Sequence, residues 1–212
     1  MGRTLITGHA LLGVVLISLV MVLTPGPNMM YLISRSVSQG KRAGLVSLLG
    51  IATGFAVYLV SAVVGLTAIF KLVPLLYDTI KIAGVTYLLW LAWTTVKPGG
   101  ISAFSPTQLA KDGARRLWVK GLLTTLLNPK IAIMYAALLP QFVDPARGNV
   151  ALQSFILGSV QISISLSIDA VYVLIASRMS TSLHRQPKWM KLQRRITGGL
   201  LAGFAVRIAT TK

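Results

Sequence analysis

The chain has 212 residues, of which 54% are hydrophobic and only 12% charged, and its formal net charge is +17. In soluble domains about 25% of residues are charged, so this composition excludes an ordinary soluble protein and indicates an integral membrane protein. The sequence contains no cysteine, which excludes disulfides, thiol redox relays and cysteine metal sites.

Six apolar stretches follow one another along the chain, and most are near the roughly 20 residues that a spanning helix needs. They cover about residues 5–34, 43–70, 80–96, 117–139, 150–177 and 196–210. The first is expected to stay in the mature protein, because no small-residue cleavage site precedes Thr24. The last is the shortest, but its three glycines are typical of a helix that packs closely against others. The sequence therefore predicts an all-α membrane protein with six transmembrane helices.

The first stretch is interrupted by a proline motif that recurs in the fourth. The two motifs are Thr24-Pro25-Gly26-Pro27-Asn28 and Asn128-Pro129-Lys130. A constant offset of 104 residues aligns Pro25 with Pro129, and it also aligns Tyr31 with Tyr135 and Gly54 with Gly158. Paired breaks at corresponding positions of two halves point to the central binding site of a transporter, since a broken helix exposes backbone dipoles.

The duplication also predicts the domain organisation. Residues 1–96 form the first three-helix repeat, residues 97–116 a linker, and residues 117–212 the second repeat, all within one membrane domain. Three is an odd number of helices, so the second copy is expected to enter the membrane in the opposite sense. We therefore expect two inverted three-helix repeats whose first helices are broken by proline.

The second stretch carries small or hydroxylated residues along one helical face. They are Gly44, Ser47, Gly50, Gly54, Tyr58, Ser61 and Gly65. Small residues let helix backbones approach closely in lipid, so this face is predicted to pack against another helix. The alternative is that part of it lines a transport path.

The fifth stretch carries a polar stripe on one helical face. Its members are Ser154, Gly158, Gln161, Ser165, Asp169 and Tyr172, whereas Ser163 and Ser167 point elsewhere and can bond to their own helix. Such a stripe either faces a wet cavity or forms hydrogen bonds to neighbouring helices. Both interpretations stay open from the sequence.

Asp169 is the one acid, of four in the chain, that falls inside a predicted helix. Inserting a carboxylate at membrane depth costs about 2.5 to 3.5 kcal/mol, so an acid in this position indicates a function. Its predicted partner is Lys130, which lies at a similar predicted depth. The pair can be a structural ion pair, a counter-charge site for a zwitterionic solute, or a proton-titrating carboxylate gated by substrate. Lys130 can also extend to the interface and leave Asp169 to other donors.

Basic residues concentrate in three connections between the stretches. Fourteen of the 21 lysines and arginines lie in the first-to-second, third-to-fourth and fifth-to-sixth links. By the positive-inside rule these links are expected to be cytoplasmic and both termini periplasmic. The charge also attracts anionic lipids, by about 1 kcal/mol per cation, and nucleic acid is not an expected partner.

These motifs resemble the lysine exporter and homoserine/threonine resistance (LysE/RhtB) family of bacterial amino-acid exporters. The resemblance rests on the first proline motif, the Gly40–Gly54 stretch, Leu127-Asn128-Pro129-Lys130, Asp169 and the run from Ile82 to Trp90. It implies a multi-pass exporter of amino acids or close derivatives in the bacterial inner membrane, driven by the proton gradient and able to form a homodimer.

Two other classes of function compete with an exporter. A small-cation transporter needs clustered acids, histidines or cysteines at depth, and a membrane enzyme needs a nucleophile and base or a metal. The sequence shows neither pattern, and no cofactor or catalytic residue is expected. Transport of a small cation or another metabolite is the first alternative, and a structural or enzymatic role in the membrane is the second. The candidate binding or coupling residues are Thr24, Pro25, Gly26, Pro27, Asn28, Asn128, Pro129, Lys130, Gln161, Ser165 and Asp169.

Overall fold

A computed structural model of the chain describes residues 4–72, 82, 86, 89–90, 93, 111–178 and 206. Within this part every regular element is helical. The helices are α1 (Gly8–Leu23), α2 (Pro27–Leu72), α3 (Ala114–Leu126), α4 (Pro129–Ile133) and α5 (Val150–Arg178). A π-helical turn (Met134–Leu138) and a 3-10 turn (Leu139–Phe142) continue α4, and a second 3-10 turn (Pro145–Arg147) precedes α5.

The first proline motif separates α1 from α2, as the sequence predicted. Thr24 is extended, with ψ of 126°, because the ring of a following proline disfavours helical backbone at the preceding residue. Pro25 has no N–H to continue the α1 hydrogen-bond ladder. Pro27 is the first residue of α2, where a missing N–H is tolerated.

Helix α2 reverses direction at Gly40, where φ is 82° and ψ is −179°. Glycine adopts this positive φ without the strain that a side chain would add. Sixteen residues of straight helix are about 24 Å long, yet the Ser47 hydroxyl donates a hydrogen bond to the Tyr31 hydroxyl at 3.2 Å. The two parts of α2 therefore lie against each other as a helical hairpin.

The described residues contain the same succession of elements twice. A helix, a proline break, a second helix, a turn and a long helix occur in residues 8–72 and again in residues 114–178. By length and composition alone, Val150–Arg178 and Pro27–Gly65, which includes the reversal at Gly40, are long and apolar enough to cross a membrane. The pair Ala114–Leu126 and Pro129–Phe142, bent by 51°, can form a third span. Most of the third and sixth predicted helices lies outside the described residues, so the six-helix inverted arrangement stays a prediction.

The small-residue face of α2 packs closely against α3. A Cβ atom on Gly50 would lie 3.0 Å from the Leu122 backbone nitrogen, and one on Gly121 would lie 3.2 Å from the Ile51 nitrogen. Real Cβ atoms are seldom this close to backbone, so the crossing depends on glycine from both helices. The predicted packing role of this face is confirmed at Gly50 and, against Thr125, at Gly54.

The two ends of the described bundle differ in their polar contacts. At one end Arg35 of α2 binds Asp112, just before α3, at 2.9 Å. At the other end Arg147 donates to the Thr4 carbonyl at 3.3 Å. Two of the basic connections thus share one end, while the N-terminal segment and the link before α5 share the other.

Candidate functional site

The two proline breaks lie side by side and are joined by hydrogen bonds. The Asn128 amide donates to Asn28 Oδ1 at 3.1 Å, and the Asn28 amide donates to Thr125 Oγ1 at 3.1 Å. Asn28 is 7% exposed and Asn128 only 1%. The motifs that the sequence placed 104 residues apart therefore form one buried polar centre.

Lys130 supplies the donor that Pro25 removes from α1. In a continuous helix the N–H of residue 25 would bond the carbonyl of Met21, four residues earlier. Instead, Lys130 Nζ donates to the Met21 carbonyl at 2.7 Å and to the Thr24 carbonyl at 2.9 Å. Gly26 leaves room for this ammonium group, since a Cβ atom there would lie 2.8 Å from Nζ.

The second break is capped in a corresponding way by the first half of the chain. The Leu126 carbonyl would accept from the Lys130 N–H in a continuous helix, but that N–H donates to Asn128 Oδ1 at 3.1 Å. The Tyr58 hydroxyl donates to the Leu126 carbonyl instead, at 2.7 Å. Each broken helix is therefore completed by a side chain from the other half of the chain.

These contacts change the expected role of the freed backbone carbonyls. The sequence suggested that carbonyls released by the prolines would be available to a solute. In the structure, Lys130 occupies the Met21 and Thr24 carbonyls, and Tyr58 occupies that of Leu126. The Thr24 hydroxyl is also used locally, because it donates to the Val20 carbonyl at 2.6 Å.

Gln161, on the polar stripe of α5, is buried. It is hydrogen-bonded to a neighbouring element, as expected if the stripe packs against other helices. The Tyr135 hydroxyl donates to Gln161 Oε1 at 2.6 Å, and the Gln161 amide donates to Ser165 Oγ at 2.9 Å. Ser163 and Ser167, off the stripe, bond back to carbonyls of α5 as predicted.

Asp169 differs from the rest of the stripe. It is 2% exposed, yet its carboxylate makes no hydrogen bond and no ion pair within residues 4–72 and 111–178. Lys130 is close enough to attract it electrostatically, but the two do not form the ion pair that was one of the three predicted arrangements. Asp169 is therefore a buried acid that lacks a direct partner in this region.

A second polar cluster, at the Gly40 end of the hairpin, was not predicted. Asp112 falls in a connection, but its side chain is only 7% exposed. It binds Arg35 at 2.9 Å and Lys120 at 2.6 Å, and the Gln39 amide donates to its carbonyl at 3.1 Å. This cluster ties α2 to the start of α3.

The Asp112 cluster leads to a prediction for stability against pH. The hydrogen bond from Lys120, supported by the charge of Arg35, holds the pKa of Asp112 below its ordinary value of 3.8, although partial burial opposes the shift. A lowered folded-state pKa stabilises the fold above the unfolded value, and this contribution is lost as the pH falls through the folded value. Asp112→Asn should therefore lower the thermal midpoint near neutral pH, and the difference from wild type should shrink below about pH 4.

Asp144→Asn is the matched control, since the side chains of its pair with Arg147 are 50% and 31% exposed. Exposed pairs contribute about 0–1 kcal/mol, so this variant should change little at either pH. A constant difference between wild type and Asp112→Asn across the pH range would contradict the prediction.

The predicted candidates thus divide into two groups in the structure. The breaks bring together Thr24, Gly26, Asn28, Asn128 and Lys130, with Pro25, Pro27 and Pro129 at the interruptions. Gln161, Ser165 and Asp169 line one face of α5, with Gln161 bound to Tyr135.

Sequence reasoning missed several partners of these residues. Tyr58 was noted for packing, and nothing identified it as the cap of Leu126. Arg35 carried no local signal, since a cation at the end of an apolar stretch usually faces solvent or lipid headgroups. Their contacts join residues far apart in the chain, where spacing gives no information.

Comparisons with known proteins identify the family of this chain. The model of the family described as LysE type translocator matches residues 19–212. The chain is 30% identical to a homoserine/homoserine lactone efflux protein of Salmonella typhimurium, over 93% of this chain and 94% of that protein. It is 29% identical to the protein of the same description from Salmonella typhi, with the same coverage.

A further relative is an uncharacterized membrane protein of Bacillus subtilis, YrhP. The two chains are 28% identical over 94% of this chain and 98% of that protein. No solved structure matches the chain significantly.

Proposed function

Because the chain belongs to the LysE type translocator family, we propose that it exports amino acids or close derivatives from the bacterial cytoplasm. The efflux of homoserine and homoserine lactone named for two relatives makes these compounds the first solutes to test. We further propose that the basic connections face the cytoplasm and that the proton gradient drives export.

The observation that carries this proposal is the pair of cross-capped helix breaks, together with the buried carboxylate of Asp169 on α5. Asn28 and Asn128 connect the breaks directly, so movement of one broken helix must disturb the other. Discontinuous helices at a repeat interface are where transporters bind solute. Asp169 adds a negative charge that a solute ammonium group or a proton can neutralise.

Proton coupling follows from the same carboxylate. A buried acid binds either a proton or a cationic ammonium group more favourably than it stays charged and unpaired. If the two compete for Asp169, release of solute on the outer side is coupled to entry of a proton. Uptake of solute would require a proton to leave the cell against the proton gradient, and it is therefore disfavoured.

An efflux measurement in cells tests the function. Bacteria that express the protein and are preloaded with labelled homoserine should release the label faster than cells that express Asp169→Asn at equal abundance. A protonophore should slow the wild-type rate toward that of the variant. Equal release by both cells would contradict the proposal, and a protonophore-insensitive difference would contradict proton coupling alone.

A further inference from the structure

The first half of α2, residues 27–39, contacts α3 through polar side chains spaced one helical turn apart. The four α2 residues lie three or four positions apart and therefore share one face of the helix. Their contacts, at 2.7–3.1 Å, are Asn28 with Thr125, Tyr31 with the Leu117 carbonyl, Arg35 with the Asp112 carboxylate and Gln39 with the Asp112 carbonyl. This row of contacts, the polar seam, runs from the helix breaks to the Gly40 end of the hairpin.

The second half of α2 contacts α3 in a different way. A Cβ atom on Gly50 would lie 2.9 Å from the Trp118 carbonyl carbon, and one on Gly54 would lie 2.8 Å from Thr125 Cγ2. Close packing of this kind loses its dispersion energy as soon as two helices separate. The polar side chains of the seam can instead exchange their partners for water at a small net cost. The seam is therefore the part of the α2–α3 contact that opens most easily.

Residues 27–39 also have an interruption of the helix at each end. Thr24 and Pro25 separate the segment from α1, and Gly40, with φ of 82°, separates it from the second half of α2. In hinged conformational changes, a few residues at the ends of an element absorb the backbone rotation. The segment thus has the two joints that it needs to move on its own.

A different face of the same segment packs on the end of α5. This contact is apolar and consists of Met29, Ile33 and Ala176, with Val37 and Tyr172 beside them. Hydrophobic contact is non-directional, so the segment can pivot on α5 while the seam opens. At the inner end of the seam, Asn28 is also hydrogen-bonded to Asn128 of the second break. A path opened along the seam would therefore reach the paired breaks.

We propose that residues 27–39 form a gate that the polar seam holds closed. Separation of this segment from α3 admits solute from the end of the bundle that carries the basic connections. This inference rests on the proposed export function, in which that end faces the cytoplasm. The Asp112 carboxylate contributes most to closure, because it binds both Arg35 and Lys120 and contacts between charged partners are the strong ones.

A reversible cross-link across the seam tests the gate. The chain has no cysteine, so Gln39→Cys and Gly113→Cys introduce the only two thiols and leave the Arg35–Asp112 ion pair in place. The two positions lie at the contact of Gln39 with Asp112, and a Cβ atom on Gly113 would meet nothing within 4 Å. Treatment of proteoliposomes with a short bis-methanethiosulfonate should abolish homoserine counterflow, and a reductant should restore it.

The single variants Gln39→Cys and Gly113→Cys, treated in the same way, should transport at the wild-type rate. If the cross-linked protein transports as fast as the untreated protein, the seam is static and the inference is overturned, while the export function stands. If the untreated wild type shows no counterflow of any amino acid or derivative, the proposed function itself is contradicted.

Thiol labelling of the purified protein detects opening without a cross-link. Ser47 and Ser18 are both fully buried, and of the two only Ser47 borders the seam, through its bond to Tyr31. Asp112→Asn should raise the rate at which a water-soluble maleimide modifies Ser47→Cys by about tenfold, because a charged contact of the closed seam is lost. Modification of Ser18→Cys should stay unchanged. An equal rise at both positions, or none at Ser47→Cys, would contradict the gate.

Discussion

Lys130→Met is expected to lower the stability of the protein, and Pro25→Ala is expected to make Lys130 largely dispensable for folding. Without the ammonium group, the buried carbonyls of Met21 and Thr24 lose their donor, at about 1–3 kcal/mol for each unpaired group. For a chain of this size each kcal/mol lowers the thermal midpoint by roughly 2–4 °C. Alanine at position 25 supplies an N–H that can bond the Met21 carbonyl directly.

The thermal midpoints of the purified wild type, both single variants and the double variant measure this coupling. The loss of folding stability caused by Lys130→Met should be smaller in the Pro25→Ala background than in the wild type, by about 1 kcal/mol or more. Lys41→Met is the control, because Lys41 is an exposed lysine of α2 and its replacement should change little. Additive losses, within about 0.5 kcal/mol, would show that Lys130 does not replace the missing N–H.

Asp169→Asn is expected to abolish export while keeping or raising stability. A charged aspartate at the centre of a membrane helix costs about 2.5–3.5 kcal/mol, and asparagine removes the charge with little change in shape. A structural acid would behave in the opposite way, because breaking its contacts would destabilise the fold. Export should fall at least about tenfold, the effect of losing roughly 1.4 kcal/mol of solute binding.

Efflux and thermal midpoint must be measured on the same preparations of this variant. Asp144→Asn, which changes an exposed acid to the same side chain, should match the wild type in both measurements. If Asp169→Asn instead lowers the thermal midpoint and retains export, Asp169 has a structural role. The solute-binding site would then have to lie elsewhere along the helix breaks.

The sequence predicted the local features of this fold well, because their causes are local. Proline at positions 25 and 129 removes a helix donor wherever it stands, and both breaks are found in the structure. The fifth stretch, predicted at 150–177, is the helix Val150–Arg178, since a long apolar run has few other solutions in a membrane.

The pairing of side chains could not be predicted in the same way. A lysine and an aspartate at equal depth suggested a pair, but Lys130 satisfies the carbonyls that Pro25 leaves without a donor. The Tyr58 contact with Leu126 depends on how the two hairpins approach each other. Asp112 lies in a polar link, and only the fold places Arg35 beside it.

Counterflow into proteoliposomes tests the central claim most directly. Vesicles that contain the purified wild type and a high internal concentration of unlabelled homoserine should accumulate labelled homoserine added outside. Vesicles with Asp169→Asn should not accumulate it, and vesicles with Asp144→Asn should behave as the wild type does. Equal accumulation by the Asp169→Asn vesicles, or none by the wild type for any amino acid or derivative tested, would contradict export through the paired helix breaks and Asp169.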